Sequence, residues 1–125
     1  MTISTAIIVD DEPRITQLYS ELLELQNLKI LGIGQNGNDA IRLFKEYSPD
    51  LVFLDVHMPD LSGVEALKEI KKISPTAKVI MVTADLSVDL EKLLQNSGAT
   101  EVILKPFDIQ KITQLLEMLN KSDSK

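Results

Sequence analysis

With 125 residues, 44% hydrophobic content and no cysteine, the chain is sized for one domain that buries its own core, and disulfides and thiolate metal sites are excluded. A formal net charge of −6 without any basic cluster argues against direct nucleic-acid binding, which needs several Lys or Arg on one face. No apolar run reaches the length of a membrane span and the N-terminus carries no basic-then-apolar leader pattern, so no membrane association and a cytoplasmic location are expected.

Strand-like and helix-like segments alternate along the chain. Residues 6–10 (Ala6-Ile7-Ile8-Val9-Asp10) are predicted as a strand, and 12–26 as a helix with Ile15, Leu18, Leu22 and Leu25 on one apolar stripe. Residues 29–34 form a weaker second strand, ended by Gly32, Gly34 and the Gln35-Asn36-Gly37 turn. A helix over 38–47 runs through Ile41, Phe44 and Tyr47 and closes at Ser48-Pro49. The third strand, 51–55, leads into the polar loop Met58-Pro59-Asp60-Leu61-Ser62-Gly63 and a helix over 64–73 through Leu67, Ile70 and Ile73, closed by Ser74-Pro75. Residues 78–83 are the fourth strand, and 87–97 a less regular helix ending at Asn96-Ser97-Gly98, a left-handed cap. A short strand over 102–104 and a helix over 108–120, with Ile109, Ile112, Leu115, Leu116 and Leu119 inward, complete the series. Strict alternation with short loops predicts an α/β domain of (βα)5 form, a parallel sheet covered by helices on both faces.

The polar residues that end four of these runs carry the chemistry. Asp10-Asp11, Asp55, Thr83 and Lys105 each follow a buried-type strand, and in a parallel sheet the carboxyl ends of the strands share one edge where ligands bind. Each residue also has a plainer role. Asp11 can cap the following helix, with Glu12 and Pro13 suited to its first turn. Lys105 can serve as a structural counter-ion, and the Thr83 hydroxyl can bond its local backbone. His57, the one histidine, reads as a solvent-facing loop residue, and its ring lacks a partner His or Cys for metal binding. Three carboxylates brought within roughly 5 Å repel by about 3 kcal/mol per pair at an effective dielectric near 20, which a cation offsets. An all-oxygen ligand set suits Mg2+. A metal, an ammonium and a hydroxyl converging on one carboxylate match the needs of phosphoryl transfer, and Ala84 beside Thr83 leaves room for the group.

Taken together, Asp10-Asp11, Asp55 with Met58-Pro59-Asp60 and Gly63, Thr83-Ala84, and Lys105-Pro106-Phe107 resemble the receiver domain of two-component response regulators, over about residues 4–120. The resemblance implies a flavodoxin-like, doubly wound five-stranded parallel sheet in the order 2-1-3-4-5, with a receiver domain over 1–121 and a frayed polar tail over 122–125. It implies that Asp55 accepts a phosphoryl group from a phosphohistidine on a histidine kinase or phosphotransfer domain. Mg2+ would be held by Asp11 directly, by Asp10 through water, and by Asp55 and the backbone carbonyl of His57. Lys105 would pair with the phosphoryl group and Thr83 would move to bond it. His57 and Asp85 occupy positions where the family tunes acyl-phosphate hydrolysis. Lys105-Pro106 matches a position where the family uses a cis peptide, although X-Pro bonds by themselves favour trans. Such a domain is not an enzyme in the ordinary sense: it promotes its own phosphorylation and dephosphorylation, then signals as a monomer by binding a downstream protein target. One departure stands out. Three residues before the lysine the family usually carries Tyr or Phe, whose ring turns inward with the hydroxyl residue, and here the position is Val102.

Other readings are weaker. A flavodoxin-like module binding phosphate or a flavin nucleotide needs a Ser/Thr/Gly-rich loop after the first strand, where Asp10-Asp11-Glu12-Pro13 would repel phosphate. A phosphatase with an Asp nucleophile resembling the haloacid-dehalogenase type needs a second Asp two residues on, and His57 stands there. A degenerate receiver would lack one of the pocket residues, and none is missing.

Overall fold

All five apolar runs form strands of one parallel sheet in the computed structural model, which describes residues 2–58, 60–85 and 87–123. The order along the chain is β1 (Thr5–Val9), α1 (Pro13–Glu24), β2 (Lys29–Gly34), α2 (Gly37–Tyr47), β3 (Leu51–Asp55), α3 (Gly63–Ile73), β4 (Val79–Thr83), α4 (Val88–Asn96), β5 (Glu101–Leu104) and α5 (Ile109–Asp123). Across the sheet the strands lie β2-β1-β3-β4-β5, so the expected (βα)5 doubly wound architecture and strand order are both found.

The sheet's two faces bury different sets. Ile8, Phe53, Val82 and Ile103 pack under α1 and α5 with Leu23, Ile112, Leu115 and Leu119. Val9, Leu54 and Met81 point the other way, against Leu43 and Phe44 of α2, Leu67 and Ile70 of α3, and Leu94 of α4. Strands β3 and β4 are buried at every position, which is why they read as unbroken apolar runs. Among the described residues no helix is long and apolar enough to cross a membrane.

Helix ends follow local chemistry. Asn36, Ser62 and Ser87 accept hydrogen bonds from the backbone N–H of Asp39, Glu65 and Leu90 at the starts of α2, α3 and α4. Gly98, at φ 103°, supplies the left-handed residue after α4. The apolar stripe expected on α1 is displaced. Thr16, Tyr19, Ser20 and Leu23 are the buried positions, whereas Leu18 and Leu25 are exposed. Thr16 is buried with its hydroxyl donating to the Pro13 carbonyl at 2.9 Å, a placement that counting apolar residues misses. Tyr47 and Ile73, also expected inward, sit half in solvent at the ends of their helices. Pro59 of the expected loop and Ser124 and Lys125 of the expected tail lie outside the described residues.

At the opposite edge from the polar cluster, Asp50 ties β1 to β3. Its Oδ2 accepts from the Ser4 N–H at 2.9 Å, the Ser4 hydroxyl at 3.1 Å and the Thr5 N–H at 3.2 Å, and its own N–H donates to the Thr5 hydroxyl at 2.9 Å. Burial alone would raise the Asp50 carboxyl, but these bonds favour the ionised form and hold it below its ordinary value. A depressed folded pKa contributes stability above the unfolded value of about 3.9, and that stability is lost as pH falls through the lower folded value. Asp50→Asn is expected to cost about 1–2 kcal/mol at pH 7 and to flatten the loss of urea stability below about pH 4. An unchanged acid slope in the variant would contradict this role.

Candidate functional site

The carboxyl ends of β1, β3, β4 and β5 bring the expected residues to one edge of the sheet. Asp10 follows β1, and its backbone N–H donates to the Gly34 carbonyl at 3.1 Å, which continues the strand pairing by one residue. Its Oδ1 accepts from the Glu12 N–H at 3.0 Å. Helix α1 starts at Pro13 with Glu12 as N-cap and no side-chain cap bond, so Asp11 does not cap it. Asp11 is exposed, while Asp10 and Asp55 are 2% and 6% exposed. The chain thus spends two buried carboxylates on this edge, at a cost that burial of charge always carries unless it is paired.

Lys105 supplies the pairing. Its Nζ donates to Asp10 Oδ2 at 2.6 Å and lies 3.3 Å from Asp55 Oδ1. Burial would lower the Lys105 ammonium, but the bond to Asp10 and the charge of Asp55 outweigh it and raise its pKa above the ordinary lysine value. Asp55 moves in the same direction for a different reason: burial, then repulsion from Asp10, raise its carboxyl despite Lys105. One ammonium does not balance three carboxylates.

Carboxylate oxygens of Asp10, Asp11 and Asp55 lie within 4.8 Å of one another. The hard all-oxygen donor set matches Mg2+. The donors fit.

Two backbone contacts fix the floor. The Val56 N–H donates to the Val82 carbonyl at 3.1 Å, and the Val56 carbonyl accepts from the Gly63 N–H at 3.0 Å. The backbone leading into His57 is thereby pinned on both sides. A Cβ on Gly63 would overlap the Asp55 carbonyl oxygen and stand 2.8 Å from Val56 Cα, so only glycine lets α3 start this close to β3. The His57 side chain is exposed.

Thr83 is fully buried at the end of β4, and its hydroxyl is engaged locally: it accepts from the Asp85 N–H at 3.0 Å and donates to the Asp85 carbonyl at 3.1 Å. The plainer role of its hydroxyl, bonding the local backbone, is the one this state shows. Lys105-Pro106 is cis, as the resemblance implied and intrinsic X-Pro preference did not. Val102 pairs in register with Met81 and packs, as Leu90 and Ala99 do, against the core on the α2–α3–α4 face, away from Asp10 and Asp55.

Tyr19 also belongs to this region, although motif and periodicity do not mark it. It is 4% exposed, and its ring stacks on Phe107 with centroids 4.2 Å apart. Burial raises its phenol, and the charges that act on it are those of Lys105, Asp10 and Asp55. An aromatic on α1 shortly after the aspartate pair is the available signal, hidden because Ile15, Leu18 and Leu22 supply a complete apolar stripe without it.

A family model described as the response regulator receiver domain matches residues 6–117. The chemotaxis protein CheY of Bacillus subtilis is 34% identical, the match covering 93% of this chain and 94% of that one. CheY of Thermotoga maritima is 32% identical, over 92% of this chain and 96% of its own. Among solved structures, the CheX-CheY-BeF3-Mg2+ complex from Borrelia burgdorferi superposes with a TM-score of 0.89 at 27% identity, covering 93% of this chain and 88% of that one. A CheY-like receiver domain protein from Methanospirillum hungatei shares the fold, with a TM-score of 0.90 at 24% identity over 98% of each chain.

Proposed function

Because the chain belongs to the response regulator receiver domain family, we propose that it is a phospho-accepting signalling domain in which Asp55 takes a phosphoryl group with Mg2+. The observation that carries this reading is the cluster itself: three carboxylates converging within 4.8 Å, with one of them, Asp55, also 3.3 Å from the Lys105 ammonium.

An Asp55 carboxylate oxygen attacks the phosphorus of a phosphohistidine, forming an O–P bond. The N–P bond breaks, and the donor imidazole leaves with the electron pair and takes up a proton from water. Bound Mg2+, held by Asp10, Asp11, Asp55 and the His57 backbone carbonyl, would neutralise charge on the transferring group. Lys105 serves the same charge from the other side, releasing Asp10 as it does so. Thr83 exchanges its bonds to Asp85 for one to the phosphoryl group. The domain acts in the cytoplasm, receives its phosphoryl group from a histidine kinase or phosphotransfer domain, and passes the signal to a protein target. The Asp10-Asp11-Glu12-Pro13 turn disfavours the flavin-nucleotide alternative, since two carboxylates stand where a phosphate would need N–H donors.

Incubation with acetyl phosphate tests the reading. The expected product is an acyl phosphate, formed with Mg2+, absent in chelator, and cleaved by hydroxylamine. A hydroxylamine-stable ester, or equal incorporation in chelator, would refute it.

A further inference from the structure

Three of the chain's five aromatic residues form a column beside the ion pair. Tyr19 of α1 stacks on Phe107 at 4.2 Å with planes 23° from parallel, and Phe107 faces Phe53 of β3 at 6.4 Å and 30°. Two members of the column are placed where they matter. Phe53 precedes Asp55 by two residues on β3, and Phe107 follows Lys105 by two. The Phe107–Phe53 contact therefore bridges the same two segments as the Lys105–Asp55 contact of 3.3 Å. Phe53 is 1% exposed and cannot shift without opening the core, whereas Phe107 is only partly buried and depends on Tyr19 for its outer contact.

Lysine is a point charge on a flexible stem, so Asp10, bonded at 2.6 Å, places its ammonium, and the hold on its backbone limits how far that ammonium reaches towards Asp55. β5 ends at Leu104, and the Lys105 N–H donates to the Thr83 carbonyl at 2.8 Å; two residues on, Phe107 is held between Tyr19 and Phe53. Val102 packs on the other face of the sheet and contributes nothing to this anchoring.

We propose that Tyr19 is a positioning residue for phosphoryl transfer to Asp55: its ring, stacked on Phe107, fixes the Lys105-Pro106-Phe107 segment and so keeps the ammonium against the acceptor. This rests on Asp55 being the acceptor. The stack, rather than residue 102, is the aromatic element coupled to the site, and movement of Lys105 onto a phosphoryl group is felt at Phe107 and Tyr19, on the α1 and α5 side of the sheet.

Rates with acetyl phosphate at saturating Mg2+ test it. Tyr19→Leu is expected to lower the maximal rate about tenfold, because small misplacements of a catalytic group cost that much or more. Mg2+ affinity, set by Asp10, Asp11 and Asp55, changes less than about twofold, and Tyr19→Phe, which keeps the ring, restores the rate to within about twofold of wild type. Phe107→Leu reproduces the Tyr19→Leu pattern and serves if that variant is poorly folded by urea titration. A spectroscopic signature needs no change at Tyr19. The chain lacks tryptophan, and Tyr47 is 42% exposed on α2, so Tyr47→Phe leaves Tyr19 as the one emitter. Its emission is expected to change on adding beryllofluoride with Mg2+. The proposal is overturned if folded Tyr19→Leu reacts at the wild-type rate, if Tyr19→Phe is as slow as Tyr19→Leu, or if Tyr19 emission stays constant at saturating beryllofluoride. Failure of the Asp55 reading looks different: Asp55→Asn would still be phosphorylated.

Discussion

Asp55→Asn is expected to reduce Mg2+-dependent phosphorylation by at least about 10³-fold, because the amide removes the nucleophile and nothing nearby replaces it. Asp10 is bonded to Lys105 at 2.6 Å and to the Glu12 N–H at 3.0 Å, Thr83 is turned to the Asp85 backbone, and the His57 side chain is exposed. Among the described residues Asp11 is the remaining carboxylate of the cluster, and it is exposed where Asp55 is buried. Lys105→Ala should slow the reaction by about 10²–10³-fold, the usual cost of removing one preorganised group that meets developing charge. The same substitution leaves Asp10 buried and unpaired, so its stability must be measured alongside. The two variants separate by mechanism: Asp55→Asn loses the acceptor, while Lys105→Ala keeps a slow, Mg2+-dependent incorporation. Fast incorporation in Asp55→Asn, read by intact mass, would contradict the assignment.

The second large effect concerns stability. Gly63→Ala is expected to cost about 3 kcal/mol, at the upper end for overpacking, because the new methyl meets backbone rather than a movable side chain. It overlaps the Asp55 carbonyl oxygen and stands 2.8 Å from Val56 Cα, while the Gly63 N–H to Val56 carbonyl bond of 3.0 Å ties the same segments together. Relief requires moving the start of α3 away from the end of β3, which also displaces the residues beside Asp55. Weaker Mg2+ binding should therefore accompany the loss of urea stability. A cost below about 0.5 kcal/mol would mean that the α3–β3 junction is looser than its contacts indicate.

Much of the fold is legible in the chain because of a simple physical constraint. A strand buried on both faces must be apolar at every position, so Leu51–Leu54 and Val79–Val82 end visibly where a polar residue appears. The residue that ends each run is then at the sheet's edge by construction, which is why Asp10, Asp55, Thr83 and Lys105 stand out in the amino-acid sequence itself. Helices are less transparent. Leu18 and Leu25 look as inward as Leu23, but α1 turns Thr16, Tyr19 and Ser20 to the sheet, and apolar periodicity alone does not choose between adjacent stripes of a helix. Tyr19 is hidden by that ambiguity. The division of labour between Asp10 and Asp11 is equally hidden. Which of two adjacent carboxylates is buried and paired depends on where the chain leaves β1, and here the Asp10–Gly34 backbone bond makes that choice.

The most direct test is to locate the phosphoryl group. Wild-type protein is phosphorylated by acetyl phosphate with Mg2+ and reduced with borohydride, which converts an aspartyl phosphate to homoserine. Peptide mass analysis then reads the modified position. The account predicts conversion at Asp55 and nowhere else, abolished by chelator; homoserine at Asp10 or Asp11, or a retained phosphate on Thr83 or His57, would contradict it.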